Sequence, residues 1–197
     1  MTFFATRKND YFMMHTPQTI TYNFSATRRM HYQWSPLQQA NRKEIPLNIQ
    51  SWLSETGSIT TRLKKLGALT VEVLFDRWDK ATPKERKKLK LDTHTRVRVR
   101  EVILRLNGTP VIYARSIIPA TVLKGQWRRL TNIGDRPLGN FLFKNGHMCR
   151  GNIEITKLPA ESFPHLEEAV WARRSVFSRY GHGVLVNEAF FPTITLF

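Results

Sequence analysis

Across 197 residues there is one cysteine, Cys149, which excludes an internal disulfide and any cysteine-rich zinc site and suits a reducing compartment. Cys149 is expected to fill core space. The six histidines, His15, His31, His94, His147, His165 and His182, show neither helical nor hairpin ligand spacing, so no metal is expected. No apolar run reaches the roughly 18 residues of a membrane-spanning helix. The apolar patch from Tyr11 to Met14, preceded by Arg7, Lys8 and Asp10, is too small for a secretory signal, and a cytoplasmic location is expected. A dinucleotide-binding G-x-G-x-x-G, a Walker loop, a G-x-S-x-G elbow and an H-E-x-x-H motif are all missing.

Acids are scarce as well. Fifteen Asp and Glu stand against 31 Lys and Arg, a formal charge of +16. That excess fits three kinds of partner: nucleic acid, an anionic membrane surface, or a small anionic substrate. Internal repeats, low-complexity tracts and domain linkers are lacking too. With 41% apolar residues, the chain is long enough for one domain with a substantial core.

What is present centres on Arg96 to Pro119, RVRVREVILRLNGTPVIYARSIIP. Two alternating runs rich in Val and Ile flank Asn107-Gly108, both of which accept the positive φ of a type I′ turn, so the spacing predicts a β-hairpin. With these two as the loop, Leu106 faces Thr109, Leu104 faces Val111, Val102 faces Tyr113 and Arg100 faces Arg115. Arg100 and Arg115 then share the apolar inner face. Like charges directly opposite each other destabilise a sheet, and buried guanidiniums need anions. The anions are a ligand's, or structural acids such as Glu101 or Glu154; otherwise both arginines reach water at the rim.

Residues 1–33 are mixed polar and aromatic without periodicity and read as a loosely ordered basic extension. Residues 34–197 form the folded domain. Pro46 to Ser54 has helical spacing at Ile49, Trp52 and Leu53; Ser58 then caps a second helix with Ile59, Leu63 and Leu66 on its apolar face. Leu69 to Phe75 alternates as a strand. Thr82-Pro83-Lys84-Glu85 is a capping box opening a short helix that carries Arg86, Lys87, Lys88 and Lys90. Those cations form either a solvated face or a contact for a polyanion. Trp127 to Ile133 is a weak helix, Arg136 to Phe143 a proline-initiated helical turn, and Met148 to Thr156 a strand. Trp171 to Tyr180 and Val184 to Phe191 make a second hairpin around Gly181-His182-Gly183. Strands outnumber helices and are mostly joined by hairpins, which predicts an α+β fold: one antiparallel sheet with helices on one side.

In the last strand Glu188 shares a face with Val184, Val186 and Phe190. A carboxylate in an apolar row has its pKa pushed upward by desolvation unless a cation is near. Either Glu188 pairs with an arginine of the central hairpin, or the two make a site that binds a carboxylate-bearing ligand and moves a proton.

Seven segments, in order, resemble the chorismate-pyruvate lyase family: WLSETGSITTRL (Trp52 to Leu63), VREVILRLNGTPVIYARSIIP (Val99 to Pro119), TVLKG (Thr121 to Gly125), IGDRPLGNFLF (Ile133 to Phe143), RGNIEI (Arg150 to Ile155), ARRSVF (Ala172 to Phe177) and NEAFFP (Asn187 to Pro192). They cover the chain from about Trp34 to its end. The resemblance implies a cofactor-independent enzyme that eliminates pyruvate from chorismate to give 4-hydroxybenzoate, the first committed step toward ubiquinone. It also implies a ligand enclosed beneath helical flaps.

By the same resemblance, Arg100 binds the ring carboxylate, Glu188 faces the ligand's other end as general acid or proton relay, Leu138 makes a backbone contact and Ile59 helps close the pocket. Arg115 lies near the binding region, holding the enolpyruvyl carboxylate or guiding the ligand in. Two departures from the family pattern are Asn187, where relatives often have Thr, and Ile59, which is Met in some. The expected partners are chorismate and 4-hydroxybenzoate, with no specific nucleic acid, and the expected state is a monomer. The alternative from the same fold is a non-catalytic sensor domain for small carboxylates; such regulators carry a DNA-binding region ahead of it, for which residues 1–33 are too short.

Overall fold

The computed structural model describes residues 32–144, 148–163, 166–179 and 181–197. The extension expected over residues 1–33 lies almost wholly outside them. In chain order the elements are β1 (Ser35–Pro36), α1 (Leu47–Leu53), α2 (Ile59–Lys64), β2 (Leu69–Asp79), α3 (Pro83–Leu89), β3 (Val97–Leu106) and β4 (Thr109–Pro119). A 3-10 stretch (Gly125–Asn132) follows, then α4 (Leu138–Lys144), β5 (Cys149–Arg150), β6 (Glu154–Leu158), β7 (Val170–Arg179) and β8 (His182–Phe190). The strands form one antiparallel sheet in the order β1-β6-β7-β8-β4-β3-β2, with β5 also on β7. The fold is α+β, as the strand count and hairpin joins predict. Among the described residues no helix is long and apolar enough to cross a membrane.

The predicted Met148–Thr156 strand is two short pieces, β5 and β6, both laid against β7. In β5 it is Arg150 that turns inward, so the adjacent Cys149 points the other way and is exposed instead of filling the core.

Local signals set the helix starts. Ser58 accepts a hydrogen bond from the Thr61 amide and opens α2; the Thr82 hydroxyl and the Glu85 carboxylate complete a capping box at α3. The apolar side chains of α1 and α2, including Trp52, Leu53, Ile59 and Leu63, pack on Val102, Leu104 and Ile112. Trp127 and Leu130 of the 3-10 stretch and Leu138 and Leu142 of α4 pack beside them on Ile118, Phe177 and Val184. α3 departs from the expectation that the helices share one side: it lies on the sheet's other face, where Leu89 and nearby Ala81 meet Val97, Val99, Ile117 and Leu185. Three of its cations serve the fold: Lys88 pairs with Glu154 at 2.7 Å, Lys84 reaches the Tyr32 carbonyl at 2.6 Å, and Arg86 donates to the Thr95 carbonyl at 3.2 Å, while Lys87 is exposed.

Two bulges decide which residues face which way. The β3–β4 turn has the predicted geometry, with φ of 50° at Asn107 and 82° at Gly108, and Leu106 pairs with Thr109. Pro110 then pairs with Arg105, while Ile112 pairs with Leu104, so Val111 is an extra residue in β4. Proline has no amide hydrogen for the ladder and sits at such irregularities. Every β4 position beyond it is displaced by one residue from the expected register: Ala114 faces Val102, Ser116 faces Arg100, and Arg115 faces Glu101. Arg115 is therefore on the opposite face from Arg100 and is removed from the candidate ligand contacts. A second bulge at Leu74 in β2 brings Asp76, instead of Phe75, opposite Arg100.

On that far face the buried Arg115 grips Glu85 with Nε and Nη2, at 2.8 and 3.1 Å, and its Nη1 meets Glu101. Burial works against the charge on Arg115, but hydrogen bonds and attraction from Glu85, with further help from Glu101, raise its pKa above the ordinary arginine value. One arginine thus ties the start of α3 to β3 and β4. Removing it strands two buried carboxylates, so Arg115→Ala should cost about 3–5 kcal/mol. Urea denaturation measures this, and a variant of parental stability would contradict the structural role.

Candidate functional site

The helix-covered face of the sheet is hollow between β3 and β7. Its floor comes from rows of residues paired across four strands. One row runs Arg100, Ser116, Val186, Ser175; its neighbour runs Val102, Ala114, Glu188, Arg173. At the centre of each row β4 supplies a small residue, Ser116 or Ala114, where a larger side chain would fill the space. The roof is the turn into α2, from Gly57 to Thr60, and Pro137 with the residues of α4 as far as Phe143. These two elements touch at Gly139, where an added Cβ would lie 3.1 Å from the hydroxyls of Ser58 and Thr60, so glycine permits the close approach. The hollow contains about 580 Å³ of space, part of it open to solvent.

Charge is placed at the two ends of the rows. At one end Arg100, 2% exposed, donates to Asp76 at 2.7 Å and to the Arg136 carbonyl at 3.3 Å. Asp76 also accepts from Arg98 at 2.6 Å, so it is shared between two arginines. At the other end Arg173, 1% exposed, donates from Nε to Glu188 at 2.7 Å. Its Nη1 donates to the carbonyls of Trp52 and Glu55 at 3.0 and 2.6 Å, fastening the chain after α1 to the sheet. Arg150 stands beside it, with Nε on the Ser175 hydroxyl at 3.0 Å and Nη1 on the Glu55 carbonyl at 2.8 Å. Burial, followed by repulsion from Arg173, brings the Arg150 pKa down to about 10, against the pull of Glu188 and Glu55.

Of the residues singled out from sequence, Ile59, Arg100, Leu138 and Glu188 all line this hollow; Arg115 does not. Glu188 pairs with Arg173 of β7, not with an arginine of the central hairpin. Arg150 and Arg173 escaped the sequence reading. The signal for Arg173 lies in the turn: β7 and β8 pair Arg179 with His182, a two-residue loop, and that register sets Arg173 opposite Glu188. A three-residue turn at Gly181-His182-Gly183 hides the pairing.

The arrangement can hold an anionic, ring-sized molecule between cations at both ends, with one carboxylate placed to exchange protons with it. Comparison with known proteins points the same way. The family model described as chorismate lyase matches residues 31–197. A protein of Halorhodospira halophila named "Probable chorismate pyruvate-lyase" is 36% identical over 181 residues, covering 83% of this chain and 96% of its own. A Pseudomonas aeruginosa protein of the same name is 37% identical over 150 residues, covering 74% and 84%. Among solved structures, PhnF from Mycobacterium smegmatis is similar with a TM-score of 0.56 at 15% identity, over 71% of this chain and 65% of that one. The effector domain of PhnF gives 0.52 at 14%, over 70% and 90%. At such identities the likeness to these two structures is one of fold alone.

The Arg173 fork holds the site's carboxylate to the end of α1 and the chain that leads into the roof. Arg173→Lys keeps the charge but loses the planar multi-donor geometry. It should lower stability by about 1–3 kcal/mol, read as a drop in thermal midpoint, and an unchanged midpoint would show that the fork is not needed.

Proposed function

The chain belongs to the chorismate lyase family, and from that premise we propose that it eliminates pyruvate from chorismate to leave 4-hydroxybenzoate, the first committed step toward ubiquinone. The observation that carries the residue assignment is that Arg100 and Glu188, from strands far apart in sequence, line one hollow in adjoining rows.

Chorismate is a cyclohexadiene with a ring carboxylate, a hydroxyl and an enolpyruvyl ether. In the elimination the ring carbon–ether oxygen bond breaks and its electron pair leaves with the enolpyruvyl oxygen. The hydrogen on the hydroxyl-bearing ring carbon departs as a proton, and its bonding pair completes the aromatic ring. The released enolpyruvate takes up a proton at carbon to become pyruvate. Atoms and charge balance without an oxidant or reductant, and aromatisation makes the step downhill.

The protein's task is positioning and proton handling. Arg100 anchors the ring carboxylate through a charge-assisted hydrogen-bond fork. Asp76 fixes the guanidinium through one nitrogen and the Arg136 carbonyl accepts from another, so the anchor is pre-set. Glu188, aimed by Arg173, works at the hydroxyl and ether end as general acid or proton relay. Ile59 and Leu138 close the roof over the ring, limiting water around the developing charge. The excess of positive charge over the whole chain favours capture of a dianion.

Purified protein incubated with chorismate should release pyruvate and 4-hydroxybenzoate in equal amounts. Arg100→Ala should lower kcat/KM by roughly 10- to 100-fold or more through loss of the anchor. Glu188→Gln should lower kcat by about 10²- to 10⁴-fold. Parental rates in either variant would remove that residue from its role.

A further inference from the structure

Resting on the lyase reading, we propose that Arg150 receives the substrate's second carboxylate, the one on the side chain that departs. The sequence leaves that role open to Arg115, which the bulge at Val111 has turned to the far face.

The row that begins with Arg100 ends at Ser175, and Ser175 accepts a hydrogen bond from Arg150 Nε at 3.0 Å. A guanidinium therefore stands at each end of one line of paired residues. The line crosses three interstrand spacings, roughly 14 Å between backbones, and the arginine side chains narrow the gap. Between them lie only Ser116 and Val186, a low floor over which a flat ring can rest with an anionic group at either end.

The partners of the three arginines separate their roles. Arg100 has Asp76, and Arg173 has Glu188. Arg150 donates to the Ser175 hydroxyl and to the carbonyls of Glu55 and Thr56, all neutral acceptors. Among the described residues, no carboxylate pairs with it. A guanidinium drawn out of water needs an anion, and the hollow itself is where one can be supplied. Three guanidiniums and one carboxylate line the space, and with Arg100 and Arg173 each already on an acid of the chain, Arg150 is the lining cation left for a ligand's anion.

This makes Arg150 a discriminator between substrate and product. The substrate carries both carboxylates; the aromatic product keeps only the one at Arg100. Arg150→Ala should therefore lower kcat/KM for chorismate by about 10- to 100-fold while changing the Kd for 4-hydroxybenzoate by less than about threefold, below what a lost charge-assisted bond gives. Arg100→Ala should weaken both. Arg150→Gln, which still donates a hydrogen bond without charge, repeats the test if the alanine variant does not fold, and Arg150→Lys should recover part of the loss.

Steady-state kinetics with chorismate and calorimetric titration with 4-hydroxybenzoate read the two quantities. An active parent whose Arg150→Ala and Arg150→Gln variants keep parental kcat/KM, or lose affinity for both ligands alike, overturns the Arg150 assignment alone. A parent that leaves chorismate intact overturns the lyase reading and this assignment with it.

Discussion

One unpaired residue in β4 sorts the charges of this protein. Strand side chains alternate between faces, so a single extra residue exchanges the two faces for everything beyond it. Val111 is that residue. Because of it, Ala114 and Ser116 face the helices and leave a hollow, while Arg115 faces away and becomes the counter-ion of Glu85 and Glu101. Without it, Tyr113 and Arg115 would occupy the floor, and a large ring and a third cation would fill the space now shared by Arg100 and Glu188. The bulge at Leu74 does the corresponding work on β2 by delivering Asp76 to Arg100.

The architecture was largely legible in the sequence because its signals are local. Asn107-Gly108 fixed the turn, Ser58 and the Thr82–Glu85 box fixed two helix starts, and the alternation of apolar residues marked the long strands. The site was half legible. Arg100 and Glu188 stood out as charges in apolar rows, and Ile59 and Leu138 followed from family motifs. What failed was register. Pro110 is visible as a residue that cannot serve the ladder, but which strand position absorbs the irregularity is decided by the packing of β4 between β3 and β8. Register also concealed Arg173, and Arg150 was hidden by the break between β5 and β6. Cys149 was misplaced for a related reason: a two-residue strand has one inward position, and Arg150 takes it.

The two faces of the sheet use charge differently. On the far face the buried ions Arg115, Glu85 and Glu101 answer one another from within the chain, and the cluster acts as a rivet between α3 and the sheet. On the near face the ions are arranged along a line with small or apolar residues between them. The same residue types thus bind a helix to the sheet on one face and line a hollow on the other, and on both faces burial costs a charged group several kcal/mol that Glu85 and Glu101, or Asp76 and Glu188, help to offset.

The Glu85 carboxylate has a double duty with an evolutionary corollary. One of its oxygens closes the start of α3 on the Thr82 amide and also accepts from Arg115, while the other binds Arg115 as well. Shortening it to aspartate would disturb a helix end and an inter-element ion pair in a single step. Positions 82, 85, 101 and 115 are thereby yoked together, and divergence among homologues should either preserve the quartet or replace it as a unit, leaving few viable intermediates with one member changed.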